Sequence, residues 1–156
     1  MGKTIYDIKE AIESSHDKDD DIKGLIGQKE LGDKKFSVNG KEEYAVFDLG
    51  ESKPIAALAI AWFDGQIRRQ QFEIQLGNDP ENTRRVTASV SSGTTDDYEE
   101  ISFERPINAQ FIKLLNLGNN FNDFMSIRGI QAYGPDEPDE LKGEVGQVGE
   151  AGPERV

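Results

Sequence analysis

Between Ile60 and Leu76 the chain reads Ile-Ala-Trp-Phe-Asp-Gly-Gln-Ile-Arg-Arg-Gln-Gln-Phe-Glu-Ile-Gln-Leu. Two apolar segments enclose a short polar turn that carries Phe63, Asp64, Arg68 and Arg69. A ring, a carboxylate and a guanidinium side by side on an exposed loop can stack on the apolar face of a pyranose and hydrogen-bond its hydroxyls. Trp62, the sole tryptophan, continues the apolar run and is expected in the core. A second polar cluster, Asn119-Asn120-Phe121-Asn122-Asp123-Phe124, offers amides that donate and accept together, which suits vicinal hydroxyls. The same asparagines also suit tight turns with left-handed backbone, and both readings stand. Catalysis has less to draw on. There is no cysteine to act as nucleophile or thiolate ligand. His16 is the sole histidine, with no second histidine to act alongside it. The acids are dispersed, without the paired arrangement a glycosidase needs across its cleft. The expectation is a chain that binds and does not turn over its ligand.

The elements that must hold these residues read as strands. Residues 4–13, with Ile5, Ile8 and Ile12, fit either a short helix or a first strand. Ser14 to Asp21 is a polar loop, and residues 22–43, rich in glycine and lysine, read as a long structured loop of the kind that is functional or tied by a metal. Tyr44–Leu49 reads as a strand ending at Gly50, and Ile55–Trp62 as a strand covered on both faces. Gln71–Leu76 alternates, with Phe72, Ile74 and Leu76 on one face. Asn78 to Asn82 is a turn cluster. Further strands are marked by Val86, Ala88 and Val90, by Tyr98, Ile101 and Phe103, by 109–117 and by 126–133. Recurrent strands with turns between them and no convincing helix predict an all-β antiparallel sandwich or barrel. At 156 residues the chain supports one domain with a real core.

Charge narrows the partners. Thirty acids against 18 bases give a net charge of -12, which argues against nucleic acid and against anionic lipid. A polyanionic glycan would be steered away unless a local basic pocket or bridging cations intervened. No apolar run approaches the ~20 residues that span a bilayer, so no membrane insertion is expected. Met1-Gly2-Lys3-Thr4 lacks an apolar stretch of signal-peptide type. That leaves a cytosolic protein or one whose signal has been removed, and a Met-Gly start of cloning origin favours an extracellular or cell-surface protein. From residue 135 the composition shifts to an acidic linker. Glycine then falls at 143, 146, 149 and 152, the period of a collagen triple helix. The division expected is a β-sandwich over 1–134 and, over 135–156, a linker with the start of a collagen-like tail, disordered by itself. In a longer chain that tail would make a homotrimer.

Four segments together resemble the discoidin family, also called the coagulation factor 5/8 type C domain, and within it carbohydrate-binding modules of family 32 type attached to bacterial polysaccharide lyases and chitosanases. They are Ala45-Val-Phe-Asp-Leu-Gly50; Ile60 to Arg68 with Phe72-Glu-Ile-Gln; Ser91-Ser-Gly-Thr-Thr95; and Ala109-Gln-Phe-Ile-Lys113 with Asn119 to Ile127 and Ile130-Gln-Ala-Tyr-Gly134. The resemblance implies a jelly-roll β-sandwich of the galactose-binding-domain-like type. It implies that Phe63, Asp64, Gln66 and Arg68 face a sugar, joined by Asn119, Asn120, Asn122 and Phe124. It sets His16 near the loop end, where a place on the pocket rim competes with a plain surface position. The family commonly holds a structural calcium, yet Gly129 stands where a glutamate ligand is usual, and the loop aspartate is replaced around Gly27. No metal site is therefore assigned. Asp17, Asp19, Asp20 and Asp21 are the alternative ligands, against their reading as a solvated loop. The resemblance thus implies a non-catalytic carbohydrate-binding module that holds a polysaccharide or a terminal sugar in its end loops. The alternative is a protein-adhesion or structural domain of a trimeric collagen-like surface protein.

Overall fold

The structure is a computed structural model and describes residues 4–14 and 35–135. Eight strands follow in order: β1 (Ile5–Tyr6), β2 (Glu10–Glu13), β3 (Phe36–Asn39), β4 (Tyr44–Trp62), β5 (Gln71–Gly77), β6 (Arg84–Val90), β7 (Tyr98–Asn116) and β8 (Phe124–Tyr133). All pairings among them are antiparallel. The fold is a jelly-roll β-sandwich. Its two layers share the long strands β4 and β7, which pair from Tyr44↔Leu115 to Ala61↔Tyr98. In the first layer β2 adds to the start of β4, while β5 and then β6 add to the end of β7. In the second layer the last third of β4 pairs with β8, which also carries β1 and β3.

Register shifts in the β4–β7 ladder, between Asp48 and Lys53 and between Ile55 and Ala57, carry the ribbon from one layer to the other. At the first, Gly50 has φ 89, and its N–H donates to Asp48 Oδ1 at 2.7 Å. The sequence pattern reads this point as a strand end. The structure makes it a bulge, so the expected strands 44–49 and 55–62 are one. At the second, Phe103 to Pro106 have no partner in the ladder, and Pro106 has no N–H to give it. The strands expected around 98–103 and 109–117 are likewise one. The ambiguous stretch 4–13 forms the short strands β1 and β2. Within the stretch read as a long loop, Phe36–Asn39 is a strand, because Phe36 and Val38 are fully buried against the core. The rest of that loop (to residue 34), the acidic run 17–21 and the tail from 136 lie outside the described residues.

The core fills the space between the layers. The last third of β4 lies between two strands and is buried on both faces, which accounts for its unbroken apolar run. Trp62, at the end of β4, packs across the layers on Phe72 of β5 with ring centroids 4.8 Å apart. This contact closes the sandwich directly beneath the loop that follows β4. Trp62 is 2% exposed. Its fluorescence is expected to be blue-shifted in the native state and to move red in one cooperative urea transition. Trp62→Ala is expected to cost about 3–5 kcal/mol; a native spectrum typical of solvent-exposed indole would contradict this packing.

Candidate functional site

The loop after β4 is shaped by its backbone. The Phe63 N–H donates to the Ser126 carbonyl at 3.0 Å, and the Asp64 carbonyl accepts from Ile67 at 3.0 Å and from Arg68 at 2.9 Å. Asp64 sits at φ 55, a conformation that aspartate tolerates better than most residues. The resulting turn sets Asp64 and Arg68 on one side, four residues apart, with Arg68 Nη2 3.8 Å from Asp64 Oδ2. Gly65 permits this turn, since a Cβ there would lie 2.2 Å from the Thr95 carbonyl oxygen. The segment carrying Thr95 is braced in turn by Arg128, whose Nη1 lies 3.1 Å from Asp96 Oδ2.

A buried amide pair fixes the loop to its neighbours. Gln70 is 3% exposed and Asn116 is fully buried. Gln70 Nε2 donates to Asn116 Oδ1 at 2.9 Å and to the Gly118 carbonyl at 3.0 Å. Asn116 Nδ2 donates to the carbonyls of Gly40 and Asp123, each at 2.7 Å. Its Oδ1 also accepts from the Gly118 N–H at 2.8 Å. Ser91 completes the set: its Oγ accepts from the Gln70 N–H at 2.8 Å. Three side chains, Gln70, Asn116 and Ser91, therefore tie the loops at 40, 70, 91 and 117–123 into one unit at this end of the sandwich.

That unit frames a cavity of about 200 Å³ lined by Lys35, Ser37, Phe63, Arg68, Asn122, Phe124 and Ser126. Among the described residues its walls carry two cations and no acid. The ring of Phe63 holds both: Lys35 Nζ is 5.1 Å and Arg68 Cζ 5.4 Å from its centroid, attracted by the negative face of the ring. Ser37 and Ser126, opposite each other on β3 and β8, share a hydrogen bond of 2.7 Å. The Arg68 side chain is only 17% exposed. Its guanidinium makes no hydrogen bond among the described residues, and its Nε is buried with no partner. Buried donors are normally satisfied, so this group is held in place with donors to spare.

The structure brings together four of the residues singled out in the sequence: Phe63, Arg68, Asn122 and Phe124. Asp64 stands beside Arg68. Gln66 is exposed, and its side chain makes no hydrogen bond among the described residues. Asn119 lies next to the cavity but spends its amide on the loop. Its Oδ1 accepts from Phe121 and Asn122 at 2.7 and 2.9 Å, and its Nδ2 donates to the Phe124 carbonyl at 2.8 Å. Asn120 joins the two loops: Nδ2 donates to the Ile67 carbonyl at 3.1 Å, and Oδ1 accepts from the Arg69 N–H at 2.7 Å. It lines a neighbouring groove instead of the cavity. His16 and the aspartates at 17, 19, 20 and 21 lie outside the described residues. Sequence reasoning missed Lys35, Ser37 and Ser126, and the only signal was the short alternation Phe36-Ser37-Val38-Asn39. As to calcium, Gly129 pairs with Ala61 inside β8 and brings no carboxylate. Among the described residues no group of three or more acidic or histidine side chains could hold a metal ion, so the described donor set does not fit one.

A two-layer jelly roll with a polar pocket in its end loops is the architecture of discoidin-type binding domains. The F5/8 type C domain family model matches residues 21–130, and the chain belongs to this family. Among solved structures, the CBM32 of AlyQ in complex with 4,5-unsaturated mannuronic acid is 32% identical with a TM-score of 0.76, over 83% of this chain and 97% of that one. A truncated AlyQ with CBM32 and alginate lyase domains is 30% identical with a TM-score of 0.76, over 88% of this chain but only 34% of that one. The family 32 module from C. perfringens NanJ in complex with galactose shares the fold at 16% identity, with a TM-score of 0.71, over 85% of this chain and 99% of that one. No curated protein sequence matches. Because the site hangs on the amide pair, Asn116→Ala is expected to lower stability by about 2–4 kcal/mol through the groups it strands. Urea denaturation reads this cost, and a loss under 0.5 kcal/mol would contradict the role given to Asn116 (surface substitutions stay about that small).

Proposed function

We propose that this chain is a non-catalytic carbohydrate-binding module that captures an acidic sugar residue of a polysaccharide in the pocket of Lys35, Phe63, Arg68, Asn122 and Phe124. One observation carries the reading: among the described residues, an enclosed guanidinium lies over Phe63 with no hydrogen bond of its own, in a pocket whose walls hold no acid. A uronate carboxylate would accept from it in the paired geometry that arginine favours. Lys35 adds a second positive charge. The Asn122 amide would meet ring hydroxyls; its Oδ1 already accepts from the Phe124 N–H at 3.0 Å, which leaves Nδ2 to donate. With the face of Phe63 engaged by cations, the half-buried ring of Phe124 is the surface for the sugar's apolar face. The mannuronic acid bound by the AlyQ module supports a ligand of this class.

Nothing in the pocket resembles a hydrolytic pair: it holds no carboxylate among the described residues. Binding without turnover is the role proposed, on the surface of or outside the cell. The four Gly-X-Y triplets from Gly143 fit display of three such modules on one stalk, where avidity compensates for weak individual sites.

Calorimetric titration with a uronic acid and with its neutral counterpart tests the assignment. The acid is expected to bind and the neutral sugar to bind at least about tenfold more weakly, with Arg68→Ala removing the difference. Equal binding of both sugars, or a preference that survives Arg68→Ala, would overturn it.

A further inference from the structure

Beyond the pocket, on the other side of Asn120, lies a broader groove of about 690 Å³ lined by Arg69, Gln71, Ser89, Val90 and Asn120, among others. The two cavities are walled by consecutive arginines. Arg68 lines the first and Arg69 the second, and the saddle between them is the Asn120 amide locked onto the backbone of Ile67 and Arg69. The saddle is flanked by two apolar side chains held out in solvent, Ile67 at 53% and Phe121 at 60% exposure. Val90, 45% exposed, is a further apolar side chain, in the groove itself. Arg69 is exposed and forms no ion pair or side-chain hydrogen bond among the described residues, although the chain carries a large excess of acids. Its stem has a fitted seat: a Cβ at Gly93, where φ is 76, would lie 2.7 Å from Arg69 Cγ.

We propose that this groove is a second subsite, in which Arg69 reads a further carboxylate of the same acidic glycan chain. The inference rests on the reading of the first pocket and extends it: the ligand is a run of uronate residues, not a single acidic end. The chain crosses the Asn120 saddle along Ile67 and Phe121, whose exposed faces suit the apolar sides of sugar rings. The groove's remaining lining mixes the polar Gln71 and Ser89 with the apolar Ala88 and Leu117, which suits a sugar chain that presents hydroxyls and apolar ring faces together.

Titration of the wild type, Arg68→Ala and Arg69→Ala with a monomeric uronic acid and its tetramer tests this. The wild type is expected to bind the tetramer about threefold to fivefold more tightly than the monomer, as one added exposed charge pair allows. Arg69→Ala is expected to erase that gain while leaving the monomer's affinity intact, and Arg68→Ala to weaken both ligands. A gain that persists in Arg69→Ala, or no gain in the wild type, overturns the second subsite and leaves the first pocket standing. If the monomer fails to bind the wild type, the pocket reading falls. The groove is then judged on the tetramer alone: loss of affinity in Arg69→Ala upholds it, and an unchanged affinity overturns it.

Discussion

The hydrogen bond between the side-chain amides of Gln70 and Asn116 is the constraint on which the binding end of this molecule depends. Both groups are out of reach of water, so each of their polar atoms must be matched within the protein. Their partners are loop carbonyls and an N–H at 40, 118 and 123, and the Ser91 hydroxyl accepts from the Gln70 backbone N–H. Matching them forces four separate loops into a single arrangement. Hydrogen bonds of this kind give a modest net gain but are costly to leave unmade, which makes the arrangement specific more than it makes it strong. Beneath it, the packing of Trp62 on Phe72 supplies the apolar floor. The pocket therefore rests on rigid supports, with Ser37 and Ser126 inside β3 and β8 and most of its other lining residues in loops.

Charge is distributed against the trend of the whole chain. The net charge of -12 would keep an anionic polymer at a distance, yet the cavity presents Lys35 and Arg68 across one aromatic ring. Packing the guanidinium against Phe63 shields it from water and strengthens its attraction for a carboxylate, because the local dielectric is lower than in solvent. Asp64, 3.8 Å from Arg68, orients the group without forming the short paired contact that would consume it. The proposed selection of an acidic ligand by an acidic protein would thus rest on where a few cations are enclosed, with the surrounding field acting to reject polyanions that cannot reach the pocket.

The β-sandwich was legible in the sequence because its strands alternate or run unbroken wherever the core covers them. The long continuity of β4 and β7 was not. Gly50 and Pro106 carry turn signals, and only the tertiary ladder turns those signals into bulges. The loop after β4 was legible as a candidate site because a ring, an acid and a guanidinium rarely crowd a turn without cause. The asparagines could not be apportioned from sequence. Asn119 and Asn122 differ by three positions and both bond within the turn, yet only Asn122 also lines the cavity, and only backbone geometry separates them. Lys35 and Ser37 escaped notice because β3 is four residues long and is held by β8, a partner distant in sequence. Gln70 and Asn116 escaped for a related reason: a buried polar residue is visible only once its burial is known.

The most direct test of the account is an amide chemical-shift map recorded while an oligouronate is titrated into the labelled protein. The largest changes are expected at residues 35, 63, 68, 122 and 124, around the cationic pocket. Changes confined to the far side of the sandwich, around Ile12 and Phe111, would show that the loops tied together by Gln70 and Asn116 are not where this protein meets sugar.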